Sequence, residues 1–490
     1  MLLPILLMLL LAAALRILGA GSYPVWTDEG WSAWASGDPA QVIGIVAADR
    51  HPPLYFAALS LWRLVAGDSH LALRFLAIAG GMLTVAIVYQ IGADVFGRRA
   101  GVFAALLFAA LPAAVYYTQE VRHYGWLTLF TALSWLLLLR YLRRPGWSLW
   151  LAYVLSLTAM LYTLYFGVFT LAAQGVVGLL AFAWSAYKGT TGRTLGRWLA
   201  LVGAWIAAGV LYLPWINVIL TQQASILGGG IAGAPGTLTP AALLPILQIL
   251  FSAQMAIPLA AFALSTLALL RRPTLVRGAV LIGGAGLLVA LILLSTRFDL
   301  LSARTLVFVT PLLLVVCGYG FSRIGWRIVS GFIGIWLVLT LAMPQVIQPR
   351  LDSGAAARAL ASEFQPGDAV ILETGWDDNA FAYEIAQVLP RGVEIVRTQP
   401  WTNERTGGGP VVPEIEPVLQ AHARVWVVRW LQAPQVLPFL EASGDGYSLS
   451  QTLDISAGEY GARFNAPTIQ IRLFIRPVGT DLPALSVSTL

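Results

Sequence analysis

The sequence predicts a polytopic α-helical membrane protein that carries a C-terminal soluble α/β domain, and three observations lead there. Hydrophobic residues fill 58% of the chain and charged residues only 11%, whereas soluble domains carry about 25% charged residues. Eleven stretches approach the roughly 20 apolar residues that a helix needs to cross a bilayer core: 2–20, 70–91, 100–118, 124–142, 148–167, 168–186, 198–219, 241–269, 278–296, 305–321 and 327–345. From Pro344 the composition changes, since eight of the 24 acidic residues lie in the first 345 positions and 16 follow. The expected division is therefore a membrane domain over 1–345 and a soluble domain over 346–490.

The opening stretch, MLLPILLMLLLAAALRILGAGS, lacks a basic n-region and places Arg16 inside its apolar core, so it reads as a retained first helix rather than a signal peptide. The fifth and sixth spans are nearly contiguous, with their boundary near Phe166–Gly167. Basic residues orient the bundle, because Lys and Arg in short loops favour the cytoplasm. One set of alternate loops holds Arg98 and Arg99; Arg140, Arg143 and Arg144; Lys188, Arg193 and Arg197; Arg271, Arg272 and Arg277; and Arg323 and Arg327. The opposite loops hold every acidic residue of the membrane part except Asp94. This places the N-terminus inside, and the first loop and C-terminal domain outside. The formal charge of +6 and pI near 9.5 do not indicate nucleic acid, because the basic residues are scattered as topology signals and form no tract. A single cysteine, Cys317, excludes an intrachain disulfide framework or thiolate cluster.

The first outer loop, WTDEGWSAWASGDPAQVIGIVAADRHPPLY (Trp26–Tyr55), is the most distinctive stretch. Pro39–Ala48 and Pro52–Val65 have helical apolar spacing with proline near the first turn, and aromatic residues suited to the headgroup layer accompany them. They read as two amphipathic helices on the outer membrane surface. The Asp28–Glu29 pair follows the first span by eight residues; a carboxylate near apolar walls serves as a general base or binds a metal, and the plain alternative is a solvated acid or helix cap.

After the third span, YYTQEVRHY (Tyr116–Tyr124) gathers Gln119, Glu120 and Arg122, groups that are costly at membrane depth unless they pair or line a cavity. If the helix continued, Tyr116, Glu120 and His123 would share a face; the plain alternative is a Glu120–Arg122 pair at a helix end. Arg16 admits two fates, snorkelling outward or meeting a lipid phosphate, and Arg297 and Arg304, flanking a late outer loop, admit the same two. His51, in DRHPPLY, is a candidate metal ligand, base or phosphate contact. Four histidines without H-x-x-x-H spacing do not support a helix-borne zinc pair, which leaves a divalent metal on Asp28, Glu29, Glu120 or His51 as an option and no certain cofactor.

Taken together, the DE pair, HPPLYF (His51–Phe56), YYTQEVRHY and SARTLVFVTPLLL (Ser302–Leu314) resemble the GT-C glycosyltransferases of the bacterial aminoarabinose transferase and protein O-mannosyltransferase family, a family 39-like group, over residues 1–345. The resemblance implies transfer of a sugar from a polyprenyl-phosphate carrier to a lipid, glycan or protein acceptor on the non-cytoplasmic face, with inversion. It implies Asp28 as catalytic base, Glu29 as its partner and Glu120 as a second active-site acid. Arg16, His51, Tyr55, Gln119, Arg122, Tyr124, Arg297 and Arg304 form the expected substrate-binding set. His51 stands where the aminoarabinose transferases carry a carrier-contacting lysine, and Arg50 where some relatives carry an acid. The competing classes are a transporter or flippase of lipid-linked sugars, which would place ionisable groups near mid-membrane on broken repeats, and a non-catalytic membrane scaffold.

In the C-terminal part, helical stretches at 355–364, 378–389, 415–422 and 435–443 alternate with extended ones at 369–373, 393–397, 425–430 and 469–476, the pattern of a small α/β layer. Thr406–Pro410 (TGGGP) reads as a loop. Trp376, Asp377 and Asp378, in ETGWDDNAF, are its most site-like residues, with an Asp N-cap as the plain alternative.

Overall fold

The structure, a computed structural model, describes residues 2–228, 274–295, 302–325, 350–398, 412–430 and 446–476, together with scattered residues between 262 and 271, between 327 and 338, and at 436 and 440. The expected spans 241–269 and 327–345, the helix 435–443, Thr406–Pro410, Arg297 and the side chain of Trp376 fall wholly or largely outside the described residues. The chain divides into two compact units, Met1–Gly21 with Ala35–Ile347, and Ser22–Trp34 with Gln348–Leu490. Composition places Ser22–Trp34 in the first domain; the contacts place it in the second unit.

The first unit is helical. Among the described residues, six helices are long and apolar enough to cross a membrane: His70–Phe96, Tyr124–Arg143, Gly167–Tyr187, Leu195–Gln222, Leu275–Leu294 and Arg304–Ser322. A seventh span results if Arg98–Ala110 and Pro112–Thr118, bent by 58°, count as one. The expected spans 2–20 and 148–167 appear as shorter apolar helices, Leu2–Ile17 and Trp147–Thr163. The fifth and sixth spans part at Leu164–Phe166, where Phe166 caps the helix Gly167–Tyr187. Close approach relies on small residues; a Cβ on Gly92 would lie 2.7 Å from the Gly101 Cα of the neighbouring helix.

The bend in the third span follows from Pro112. Proline forces Leu111 into extended backbone (φ −65°, ψ 119°) and supplies no N–H to the carbonyl four residues earlier, Phe108. Arg16 fills the gap. Its guanidinium is buried and donates to the carbonyls of Ala109 (2.8 Å), Phe108 (3.4 Å) and Ala12 (3.3 Å) and to Thr118 Oγ1 (3.1 Å). Arg16 thus does not snorkel; it is buried against the broken helix, which takes four of its five N–H donors. Arg16→Met is expected to destabilise the protein by about 3 kcal/mol or more, since it orphans buried carbonyls. Thermal unfolding in detergent measures this; the surviving folded fraction should bind a polyprenyl phosphate as wild type does.

The second unit is built on a five-stranded sheet of order β2-β1-β3-β5-β4: β1 Ala369–Glu373, β2 Ile395–Arg397, β3 Arg424–Arg429, β4 Ser448–Ser456 and β5 Thr468–Ile475. The first three are parallel and the last two join antiparallel. β1, sequence AVILE, is buried along its whole length, as a parallel strand covered on both faces must be. Val370, Leu372, Trp426 and Val428 pack toward the helices Ser353–Glu363 and Asp378–Val388. Ile371, Val425 and Val427 pack toward Val412–Ala421. The strand β4 and the short helix Gly458–Arg463 are additions to the sequence reading. β4 is a largely exposed edge strand, so it lacks an apolar run.

Candidate functional site

The third span ends at Thr118 and the next helix begins at Tyr124, so residues 119–123 form a non-helical, largely buried connector and the helix does not continue through it. Non-helical backbone at a span end is tolerated where protein buries it or where it lines a cavity. Glu120, Arg122 and His123 are all buried there. Tyr116, Glu120 and His123 therefore do not share a continuous helical face.

Opposite the connector stands the turn Asp49–Pro53, between the helices Val42–Ala48 and Leu54–Ala66. These two helices match the expected amphipathic pair with later starts. Arg122 Nη2 lies 3.0 Å from His51 Nε2. Arginine only donates, so His51 Nε2 accepts, and the ring is the neutral tautomer with its proton on Nδ1. The approach of Asp49 Oδ2 to the same nitrogen at 3.6 Å is consequently not an ion pair. The His51 and His123 rings lie 4.9 Å apart. Tyr55 and Phe56 flank His123 at 6.4 and 5.8 Å, and Tyr124 lies 4.8 Å from it. Burial, then the charges of Arg122, His123, Arg304 and Arg50, hold His51 well below the ordinary imidazole range. Burial, Arg122 and Arg304 do the same to His123.

Arg304, on the short helix Ala303–Leu306, thus acts electrostatically on both histidines, and Tyr117 feels both Glu120 and Arg304. The structure brings together His51, Tyr55, Glu120, Arg122, Tyr124 and Arg304. Gln119 is turned elsewhere, with its Nε2 donating to the carbonyls of Leu15 (3.3 Å) and Arg16 (3.1 Å), so it closes the end of the first helix. His123, absent from the expected binding set, is central; its Nδ1 is buried without a hydrogen-bond partner among the described residues. Its position directly after Arg122 was the available signal.

Asp28 and Glu29 belong to the other unit, on the helix Thr27–Ala35. Glu29 is fully buried and faces Arg350 Nη1 at 3.7 Å. Beside it the Thr27 hydroxyl donates to Asp377 Oδ1, and Asp378 Oδ1 accepts from the Thr374 N–H at 3.0 Å and hydroxyl at 2.5 Å. Neither aspartate caps the helix Asp378–Val388 with its side chain. Burial, opposed by the Thr27 hydroxyl and reinforced by Asp28, lifts Asp377 to about 6. Burial lifts Asp378 to about 7 against the pull of Thr374 and Arg397.

Both carboxyls keep protons in the folded chain that the unfolded chain has released, so unfolding free energy falls as pH rises from about 4 to about 7. Asp378→Asn retains an acceptor for Thr374 without the charge. It is expected to flatten this slope and to add about 2 kcal/mol of stability above neutral pH, read from thermal unfolding of the whole protein across that range.

Among the described residues no three His, Cys, Asp or Glu side chains converge to hold a metal ion. The donor set around His51 is instead dominated by arginine, which repels cations and suits an anion.

Residues 50–182, which contain the connector and the His51 turn, match the family model described as dolichyl-phosphate-mannose-protein mannosyltransferase. Among solved structures, the chain is similar to ArnT from Cupriavidus metallidurans in the apo state, with TM-score 0.63 and 14% identity over 95% of this chain and 97% of that one. The same protein bound to undecaprenyl phosphate gives 0.61 and 14% over 98% and 99%. The Archaeoglobus fulgidus oligosaccharyltransferase in the apo form gives 0.53 and 13% over 88% and 69%. No curated protein sequence matches the chain. Fold and membrane-length helices define a multi-pass membrane protein with a GT-C-like fold. The family model matches residues 50–182, and the likeness to ArnT over the rest of the chain is one of fold.

Proposed function

We propose that the protein is an inverting glycosyltransferase that moves a sugar from a polyprenyl-phosphate carrier to a hydroxyl or amine acceptor on the extracytoplasmic face of the membrane. The observation that carries this reading is the arginine-rich cluster of Arg50, Arg122 and Arg304 around two neutral histidines, set at a break between membrane helices. A phosphate monoester or diester attached to an apolar tail fits a cationic, aromatic-lined pocket at the end of a span. The start of the twenty-residue helix at Tyr124 adds its positive dipole end. The binding of undecaprenyl phosphate by the similar ArnT supports the same ligand class.

The chemistry needs one displacement. The acceptor oxygen or nitrogen attacks the anomeric carbon, the bond from that carbon to the phosphate oxygen breaks, and the electron pair leaves on the polyprenyl phosphate. Asp28 takes the acceptor proton. Arg122, Arg304 and the histidines hold the phosphate as its charge grows, and Glu120 orients sugar or acceptor. The arginine asymmetry of the loops supports an outward-facing site.

The test has two stages. Lipids of cells lacking the protein are analysed by mass spectrometry for an accumulating polyprenyl-phosphate sugar. That lipid is then given to the purified protein in detergent. Release of polyprenyl phosphate with sugar on an acceptor supports the reading. Movement of intact lipid across liposomes without cleavage would make the protein a transporter.

A further inference from the structure

The helix that bears Asp28 has nine residues, Thr27–Ala35. Isolated helices shorter than roughly 12–15 residues are marginal in water, so its geometry is set by what it docks on. Every partner described below belongs to the C-terminal part of the chain. The Val25 N–H donates to Glu384 Oε1 at 2.7 Å, and the Val25 carbonyl accepts from Ser353 Oγ at 3.1 Å. Thr27 donates to Asp377 and Glu29 faces Arg350. Gly30 lies flat on the helix Asp378–Val388, where an added Cβ would stand 2.4 Å from the Ala380 nitrogen. At the far end, the Arg397 guanidinium sits 5.4 Å from the Trp34 ring centre. Residues on both sides of Asp28 are thus fastened, and Asp377 adds a second carboxyl within electrostatic reach of it.

The loop that supplies Asp377 follows β1, the central parallel strand. In open α/β sheets, ligands bind beyond the carboxyl ends of such strands. Here it is Thr27 of the Asp28 helix that binds the loop's Asp377 carboxyl.

We propose that the C-terminal domain is the positioning device for the Asp28 helix, with Glu384, Asp377 and the bare surface of Gly30 as its positioning contacts. The proposal rests on Asp28 being the base. A misplacement of about 1 Å costs on the order of a hundredfold in rate, so such contacts act on turnover and leave carrier binding alone.

The experiment uses the full-length protein in detergent, the lipid donor isolated from cells lacking it, and undecaprenyl phosphate as the binding probe. Gly30→Ala and Glu384→Ala are expected to lower kcat of the folded protein by about a hundredfold, with Kd for undecaprenyl phosphate within twofold of wild type and a melting temperature lowered yet still well above the assay temperature. Glu384→Gln, which keeps an acceptor for the Val25 N–H, should restore most of the turnover. Asp377→Asn keeps an acceptor for the Thr27 hydroxyl, so it should retain most of the turnover. Wild-type turnover in Gly30→Ala and Glu384→Ala overturns the proposal. So does a loss of turnover that equals the loss of folded protein at the assay temperature or the loss of probe binding, which would mark the contacts as structural only. If Asp28→Asn itself turns over normally, the reading of Asp28 has failed; if Asp28→Asn is inactive while the positioning variants are normal, only the present inference has.

Discussion

Asp28→Asn is expected to reduce sugar transfer by about a thousandfold, the middle of the range for removing a general base, while undecaprenyl phosphate still binds. The substitution is nearly isosteric. Asp28 meets Ser32 through its main-chain carbonyl, which accepts the Ser32 hydroxyl at 2.9 Å, and that contact survives. The fastenings at Val25, Thr27, Glu29 and Gly30 also stay in place, so the helix should remain where it is. Single-turnover transfer measured beside equilibrium binding separates the two quantities. The neighbouring acid gives the contrast: Glu29→Gln weakens a buried pairing with Arg350, so its signature is a lower melting temperature with proportionate loss of active protein. An Asp28→Asn protein that melts normally and transfers at the wild-type rate would show that the proton goes elsewhere.

Much of the first unit was legible because membrane helices must satisfy their backbone internally and so announce themselves as apolar runs. The break at Pro112 lay in plain sight within the run 100–118, yet an apolar count is blind to a missing N–H. Arg16 could not be assigned without that break, because its acceptors are the carbonyls that Pro112 leaves open. The five-residue connector 119–123 is compatible with helix by sequence, since Tyr116, Glu120 and His123 fit the spacing; burial of charge in a non-helical turn is a tertiary fact. The Asp28 helix is the clearest case. Its glycine and polar residues give a weak local helical preference, and the residues that hold it lie more than 300 positions later in the chain. In the second unit the buried strands β1, β3 and β5 were readable from their apolar runs. β4 was not, since an edge strand need not be apolar.

Arg122→Met should weaken binding of undecaprenyl phosphate by about a hundredfold, the cost of losing one or two charge-assisted hydrogen bonds in a buried site. A pH dependence should appear with it. In the wild-type protein, burial and the surrounding arginines keep His51 and His123 neutral, so neither histidine should put a limb on carrier binding around neutral pH. Removing Arg122 leaves the burial but takes away the leading charge that opposes protonation of each ring, and both imidazoles move up toward their ordinary range. A phosphate then favours the protonated ring. Relative to wild type at the same pH, binding by Arg122→Met should therefore recover several-fold as pH falls from about 8 to about 5.5, the second ionisation of the phosphate near pH 6 being common to both proteins. Adding His51→Gln should abolish most of the recovery, because the ring that Arg122 contacts at 3.0 Å is the one placed to take over its charge. If Arg122→Met binds the carrier as the wild type does at every pH, the phosphate is held by other residues, and the arginine serves only to fix the His51 tautomer.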